Sequence, residues 1–227
     1  TMNSDDAARK SKITNQSCNQ ETQGHSIDSL YQELARLAES SDASALAELF
    51  DREKELLFQW ADRNNALYSE EQIIELLKNL EELPGGNEHV VFIHGDRVIK
   101  ITCPPSFGAR GGAKDYLHNL MLSNEYLNDD YRVLGLIKNY YISAEQCGDS
   151  IIITQPFIRG VKATEEEIAN YMESLELFPY KDSKGAVVKN AFMDKGETVK
   201  FVDVRPDNVI KSPDGDLFPI DIHILER

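Results

Sequence analysis

The chain has 227 residues, 41% hydrophobic and 28% charged, a composition that lets a globular protein bury a core without disulfides. Its 39 acidic and 24 basic residues give a formal net charge of −15, which argues against nucleic-acid binding because contacts to phosphate backbones need concentrated Lys and Arg. No apolar run approaches the roughly 20 residues that span a bilayer, and we expect no signal peptide because no basic-then-apolar segment opens the sequence. Cys18, Cys103 and Cys147 are scattered without metal-type spacing, so we expect reduced thiols in a cytoplasmic protein.

The first part of the chain divides into a polar tail and a helical segment. Residues 1–26 contain almost nothing to bury, and we predict a disordered tail. Residues 27–83 repeat apolar side chains every three to four positions, which predicts helices, with Ser26 and Ser69 as caps of the first and third. Pro84 and the two glycines that follow it end this helical pattern.

After residue 86 the pattern changes to strands and helices that occur in blocks rather than in strict alternation. Residues 90–93 and 97–101 predict a β-hairpin, and residues 114–128 predict a helix. Strands are then expected at 133–141, 150–157, 199–202, 208–211 and 217–224, with a capped helix at 164–177. This arrangement predicts a two-layer α+β fold.

Three polar residues near the carboxyl end have the spacing of a phosphotransfer site. Asn208 follows Asp203 by five residues, and Asp221 follows Asn208 by thirteen. An Asp can orient an attacking hydroxyl, and an Asn with a second Asp can supply oxygen ligands to Mg²⁺. A hairpin between 208 and 221 would bring the last two together, and Arg205 could neutralise phosphoryl charge. The alternative is that 203–208 is a simple turn, since Asp, Pro and Asn favour turns.

A lysine and a glutamate upstream form a second candidate pair. Lys100 ends an apolar strand, and Glu125 lies at i+8 from Leu117 on the following helix, with Met121 between them. An inward carboxylate requires a cation, so we predict that Glu125 pairs with Lys100. The alternatives are that Lys100 extends to the surface and that Glu125 lies at the edge of the apolar stripe. The five histidines show no metal spacing and are expected at the surface: His25, His89, His94, His118 and His223.

Together these residues resemble the protein kinase-like fold. The segment 98–100 resembles its strand-lysine motif, Glu125 its ion-pairing glutamate, 203–208 its catalytic loop and 220–223 its metal motif. Over residues 84–224 the sequence is most similar to the small kinase domain of bacterial and phage polyvalent proteins. Further segments carry this resemblance: 87–91, 122–125, 154–160, 164–168 and 219–221.

The resemblance implies a minimal two-lobed kinase-like fold with an N-terminal helical extension. Residues 84–158 would form the N-lobe and hinge, and 159–227 a truncated C-lobe. Lys100, braced by Glu125, would hold the phosphates of ATP, Asp203 and Arg205 would be catalytic, and Asn208 and Asp221 would bind Mg²⁺. The adenine base would contact the side chains of Val90, Val98 and Ile210. The hinge residues Gln155 and Phe157 would face adenine with their backbone groups. Apolar strand residues are core residues by default, which is the alternative for the first three.

Departures from the kinase pattern leave two functions open. Residues 84–86 lack the full glycine-rich motif, Phe201 replaces a histidine, His223 replaces a glycine, and only six residues follow Asp221. We therefore expect no activation segment and no peptide platform. The expected function is phosphate transfer from ATP to a hydroxyl of a protein or small molecule, and the alternative is a catalytically weak pseudokinase or nucleotide-binding interaction module. Residues 27–82 could contact a partner or a second copy.

Overall fold

The computed structural model describes residues 24–39, 46–84, 86–104, 107 and 112–227, and the predicted α+β class is confirmed. Nearly all of the predicted tail lies outside the described residues. The described part contains five α-helices: α1 (Ile27–Glu39), α2 (Leu46–Arg63), α3 (Glu70–Leu77), α4 (Ala113–Leu127) and α5 (Glu165–Ser174).

A seven-stranded sheet forms the first half of the fold. Its strands are β1 (His25–Ser26), β2 (Leu67–Tyr68), β3 (Glu81–Leu83), β4 (His89–His94), β5 (Arg97–Thr102), β6 (Arg132–Ser143) and β7 (Gln146–Pro156). The order is β1-β6-β7-β5-β4-β3, all antiparallel, and β2 adds to β6 in parallel. The predicted hairpin is confirmed as β4 and β5, which pair over their full lengths.

Two smaller sheets follow in the second half. One has the order β13-β12-β8, from β8 (Val161–Lys162), β12 (Val209–Lys211) and β13 (Leu217–Pro219). The other has the order β14-β11-β10-β9, from β9 (Leu177–Lys181), β10 (Val187–Asp194), β11 (Val199–Val202) and β14 (His223–Glu226). The continuous strand predicted at 217–224 is wrong. β13 pairs with β12 whereas β14 pairs with β11, so the chain changes sheets at residues 220–222.

The helices cover both faces of the large sheet. α1, α2 and α4 pack on one face, where Leu57 and Leu117 join Ile153 of β7 in one buried cluster. α3 packs on the opposite face, where Ile73 contacts a cluster that includes Ile99 and Ile152. Because successive strand residues point to opposite faces, this arrangement buries β5 and β7 on both sides.

Helix α4 also joins the large sheet to the second half of the chain. Leu122 and Leu127, in its carboxyl-terminal half, belong to a separate buried cluster with Met172 of α5 and Phe201 of β11. The helix therefore contributes to two cores. This double packing fixes β11 and β14 relative to β5, and the candidate site lies between them.

The predicted helical segment is part of the large sheet rather than an appendage. β2 and β3 lie within residues 27–83, and His25 and Ser26, assigned to the tail, pair with β6. The domain boundaries at 26 and 83 stay a prediction, and the short strands show that the predicted helical segment is not purely helical. Strands of two or three residues have too few positions to show the alternation that identifies a strand.

Two helix starts follow the cap predictions. The Ser69 hydroxyl accepts a hydrogen bond from the Gln72 N–H at 3.2 Å, and the Gln72 side chain accepts one from the Ser69 N–H at 2.8 Å. Thr164 and Glu167 form the same reciprocal pair at the start of α5. Both are capping boxes, which satisfy N–H groups that the helix itself cannot.

Gly135 of β6 allows the closest approach of the helical segment to the sheet. A Cβ atom at this position would lie 2.1 Å from the Ala66 carbonyl oxygen, the atom that accepts a hydrogen bond from Leu136 N–H. We expect Gly135→Ala to lower the free energy of unfolding by about 2–4 kcal/mol, because backbone must move. Urea denaturation tests this. Gly86→Ala is the matched control, since its Cβ would meet nothing within 4 Å. Equal unfolding free energies for the two variants would contradict the prediction.

Candidate active site

The segment between β11 and β12 holds Asp203, the predicted catalytic aspartate, in a fixed position. Asn208 is buried, and its Nδ2 donates to the Asp203 carbonyl oxygen and to Asp203 Oδ2, both at 2.9 Å. A 3-10 turn over Pro206–Asn208 brings the two residues together. Asp203 has a φ of +61°, a left-handed conformation that Asp tolerates better than most residues.

Arg205 lies on the other side of the same carboxylate. Its Nε is 3.1 Å from Asp203 Oδ1, and both side chains are partly exposed. Asp203 therefore has one oxygen held by Asn208 and the other by Arg205. The structure brings together all three members of the predicted catalytic segment.

Asp221 lies where the chain changes sheets, next to Asn208. The Ile220 N–H donates to the Asn208 carbonyl oxygen at 2.9 Å, which continues the pairing of β12 with β13 by one residue. The hairpin that the spacing predicted between these positions is therefore present. It delivers Asp221 beside Asn208 with a side chain that is 48% exposed.

Lys100 reaches this point from the large sheet. Its Nζ lies 3.6 Å from Asp221 Oδ1 and donates to the Ile220 carbonyl oxygen at 3.3 Å, although the side chain is only 6% exposed. Tyr131 supports the contact, because its hydroxyl donates to the same carbonyl at 2.6 Å and Nζ lies 5.7 Å from its ring centre. Desolvation raises the pKa of Asp221, but the charges of Lys100, His89 and His223 together outweigh it, and the pKa is lowered overall.

Glu125 does not pair with Lys100, and this prediction is wrong. Glu125 is exposed on α4, and the partner of Lys100 is Asp221. At 100° per residue, position i+8 lies about 80° around the helix from Leu117, which takes it off the buried stripe. The stripe is centred instead on Leu117, Leu120 and Leu127, all of them buried.

The register of the strands determines which of the predicted nucleotide-binding residues lie on the same face of the large sheet as Lys100. Val98 is two residues from Lys100 and lies on that face, and Gln155 is its direct neighbour on β7. Val90 pairs with Ile101 and therefore points to the opposite face, so its assignment beside the base is wrong. Val91, which pairs with Lys100, takes the position that the prediction gave to Val90.

The remaining predicted base-binding residues lie after β7 and on β12. The Phe157 N–H donates to the Asp96 carbonyl oxygen at 2.8 Å, so this backbone donor is already used within the protein. Ile210 is half-buried on β12, and a Cβ at Gly160 would lie 2.9 Å from its Cγ2. Gly85, the first of the two glycines after Pro84, lies outside the described residues.

His89 was expected at the surface, and this prediction is wrong. It is 6% exposed, lies on the same face of β4 as Val91, and its Nε2 forms a 2.9 Å hydrogen bond with the Tyr116 hydroxyl of α4. Glu88 beside it lies 3.6 Å from His223. A cavity of about 310 Å³ lies between α4 and β14, and it is lined by Glu88, His89, Tyr116, Asp221 and His223. The alternation of His89 with Val91 and Ile93 was the signal that could have placed it inward.

Burial makes His89 a source of acid sensitivity. Desolvation, followed by the charge of Lys100, lowers its pKa from 6.5 to about 4. The unfolded chain therefore binds a proton as the pH falls through 6.5, whereas the folded protein does not until about pH 4, so stability falls across this window. Between pH 7 and pH 5, we expect the free energy of unfolding to fall by about 2 kcal/mol more in the wild type than in His89→Gln. Urea denaturation at both pH values tests this, and equal losses would contradict it.

Comparison with protein families identifies the chain. Residues 51–225, more than half of the chain, match the family model described as Serine/Threonine/Tyrosine Kinase found in polyvalent proteins. The chain belongs to this family. The match begins inside α2, so the family domain includes α3 and most of α2, which the sequence resemblance had left out. A search of curated proteins found no match.

Membership of this kinase family implies ATP and a divalent metal ion. The side-chain oxygens of Asp221 and Asn208 suit such an ion. Asp221 offers a half-exposed carboxylate, and Asn208 commits Nδ2 to Asp203, which leaves its Oδ1 as an oxygen ligand. Both are hard oxygen donors, the ligands that Mg²⁺ prefers. No group of three or more His, Cys, Asp or Glu suited to a metal occurs among the described residues, so phosphate oxygens and water would complete the coordination.

Within the described ranges of the chain, none of the helices has both the length and the apolar character needed to cross a bilayer.

Proposed function

We propose that this kinase domain is an ATP- and Mg²⁺-dependent phosphotransferase of a minimal two-lobed fold, transferring the γ-phosphate to a hydroxyl of a protein or small molecule. The large sheet with its helices would be the N-lobe and the two smaller sheets with α5 the C-lobe. The observation that carries the proposal is the contact of Lys100 with Asp221, beside Asn208. A buried cation, an exposed carboxylate and an amide oxygen are the groups that bind a metal–triphosphate.

Lys100 would bind the α- and β-phosphates. Its ammonium group is buried and fixed in direction by Tyr131 and the Ile220 carbonyl, so it loses little freedom on binding. Without nucleotide it neutralises Asp221. Phosphate oxygens carry more negative charge than one carboxylate, so the ammonium would turn to them and free Asp221 to act as a metal ligand.

Asp203 would orient the acceptor hydroxyl and take its proton. The hydroxyl oxygen forms a bond to the γ-phosphorus, while the bond from that phosphorus to the bridging oxygen breaks and its electron pair stays with ADP. Arg205, 3.1 Å from Asp203, would offset the charge of the γ-phosphoryl oxygens. Mg²⁺ held by Asn208 and Asp221 would neutralise part of the negative charge of the phosphates.

A second candidate is the catalytically weak pseudokinase or nucleotide-binding module. One observation favours it: within the described residues Lys100 pairs with Asp221 rather than with a carboxylate of α4, so the metal ligand itself is engaged. A partner surface on residues 27–82 would have to use outward faces, because Leu30 and Leu57 are buried inside the chain.

Thermal unfolding and phosphate transfer, measured on the full chain, separate the two functions. Saturating Mg-ATP at about 100 times its Kd should stabilise the protein by about 2.7 kcal/mol and raise the Tm by several degrees. Labelled phosphate should also move to an acceptor or to the protein itself. A Tm shift without transfer supports the second candidate, and the absence of any shift contradicts both.

A matched pair of lysine variants tests whether Mg-ATP binds at Lys100. Lys100→Met should remove most of the Tm shift because the buried cation is lost. Lys78→Met should keep it, since Lys78 pairs with Glu75 on the exposed surface of α3. Equal shifts in the two variants would show that the nucleotide binds elsewhere.

A further inference from the structure

The four-stranded sheet has one face covered by helices and one open face. Phe201 of β11 pairs with Ile224 of β14, and both are buried in the cluster that joins this sheet to α4 and α5. Neighbouring residues of a strand point to opposite faces, so Lys200 and Leu225, which pair one step along, lie on the other face. Leu225 is 41% exposed. We call this second side of the sheet the open face.

Apolar side chains cross the open face in register. One row runs through all four strands from β9 to β14 and consists of Phe178, Met193, Lys200 and Leu225. Tyr180, two residues after Phe178 on β9, adds a second half-buried ring on the same side. A groove of about 580 Å³ is lined by Phe178, Tyr180 and Met193. Aromatic and methionine side chains of this kind are enriched in protein–protein interfaces.

Two lysines give the open face a positive charge. Lys195 Nζ lies 5.0 Å from the ring centre of Phe178, and Lys200 Nζ lies 4.4 Å from the ring centre of Tyr180. These cation–π contacts hold both ammonium groups over the aromatic rings. Neither lysine forms an ion pair with a carboxylate in the part of the chain that the structure describes. Both charges can therefore bind an anionic group.

The acidic groups near the open face are already engaged. Asp194 Oδ1 accepts a hydrogen bond from the Val199 N–H at 2.8 Å, and this bond lowers the pKa of Asp194. Glu197 lies 3.6 Å from Arg227. Residues 177–202 contain five lysines and three acidic residues, whereas the whole chain has a net charge of −15. The open face is therefore a positively charged region of an acidic protein.

The predicted catalytic segment begins next to the open face. Lys200 precedes Asp203 by three residues, which is about 10 Å at the rise of a strand. The Val204 N–H donates to the carbonyl oxygen of Asn190 on β10 at 3.0 Å, so the segment stays at the edge of this sheet. An extended peptide on the open face could therefore reach Asp203 with a residue about three positions from the one beside Lys200.

We propose that the open face binds an acidic segment of a protein substrate, with Asp or Glu side chains on Lys195 and Lys200 and an apolar side chain against Phe178. This docking role rests on the proposed function and assigns the phosphate acceptor to a protein rather than to a small molecule. Acidic side chains complement the two unpaired ammonium groups, whereas a basic segment would be repelled by them. A single-stranded nucleic acid also combines negative charge with rings that stack, but the net charge of −15 repels its many phosphates.

Binding of a fluorescently labelled random copolymer of glutamate and tyrosine, measured by anisotropy on the full chain without nucleotide, tests the proposal. The wild type should bind it, and the double variant Lys195→Glu with Lys200→Glu should bind it at least about tenfold more weakly, because both attractions become repulsions. Lys54→Glu with Lys78→Glu changes the net charge equally on exposed lysines outside this sheet. At about 0.15 M salt, where distant surface charges are screened, this control should stay within about threefold of wild type.

Each other outcome overturns the proposal. Equal weakening in the two double variants would show an effect of net charge alone. Wild-type affinity in the variant of Lys195 and Lys200, or no binding of the copolymer to the wild type, would exclude docking at the open face. Tighter binding of single-stranded oligothymidylate than of the copolymer would replace the peptide by a nucleic acid.

Failure of the proposed function is visible separately. The copolymer assay needs no ATP, so docking without any effect of Mg-ATP on the Tm would contradict the phosphotransferase and leave the docking face in place. In an active enzyme, the variant of Lys195 and Lys200 should need at least about tenfold more copolymer for half-maximal phosphate transfer, while KM for ATP stays within about twofold of wild type. An unchanged KM for the copolymer would overturn the docking role.

Discussion

Asp221→Asn is expected to reduce phosphate transfer by at least about a thousandfold, because it removes the charged metal ligand while keeping the shape of the side chain. The variant also leaves the buried ammonium of Lys100 with the Ile220 carbonyl and the Tyr131 ring as its contacts among the described residues. Loss of one partner of an ion pair destabilises the fold, and the half-exposed position of Asp221 limits this cost to about 1–2 kcal/mol. Transfer of labelled phosphate and urea denaturation measure the two effects.

Glu125→Gln is the matched control for this experiment. It removes the same charge from an acidic residue that the kinase pattern would assign to Lys100, but Glu125 is exposed on α4. We expect transfer within about twofold of wild type and a change in stability below about 0.5 kcal/mol. A thousandfold loss in Glu125→Gln, with activity retained in Asp221→Asn, would reverse the assignment of the two carboxylates.

Asp203→Asn is expected to lower the rate of transfer by about 10²–10⁴-fold while ATP affinity stays within about threefold of wild type. The amide oxygen can still accept from Asn208 Nδ2, and Asn tolerates the left-handed conformation at this position, so the turn should persist. What is lost is the group that takes the proton of the acceptor. Steady-state kinetics should therefore show a lower kcat with little change in KM for ATP.

Asp207→Asn provides the control within the same turn. Asp207 is exposed and pairs with Lys162, outside the contacts of Asp203 and Asn208. Its removal should leave kcat within about twofold of wild type. If both variants lose the same activity, the effect comes from the charge of the turn and not from a proton acceptor at Asp203.

The sequence predicted those parts of the fold that depend on contacts between residues close together in the chain. The capping residues Ser69 and Thr164 start helices as expected, since their side chains satisfy N–H groups within three residues. The turn between Asn208 and Asp221 was predictable for the same reason. A hairpin fixes which residues face each other once its strands and turn are known.

Contacts between distant elements could not be predicted in the same way. The partner of Lys100 depends on where the chain leaves β13 for β14, a crossing decided by the pairing of β14 with β11. Glu125 was misplaced because a shift of 80° in helical phase separates a buried from an exposed position. Val90 was misplaced because a shift of one residue in a strand reverses its face.

The affinity for ATP, measured with and without Mg²⁺ in wild type and in Asp221→Asn, tests the central claim that Lys100, Asn208 and Asp221 form one metal–nucleotide site. Calorimetry on the full chain should show that Mg²⁺ strengthens ATP binding to the wild type by about tenfold or more and strengthens it little in Asp221→Asn. An equal effect of Mg²⁺ on both proteins, or no ATP binding to the wild type, would contradict the account.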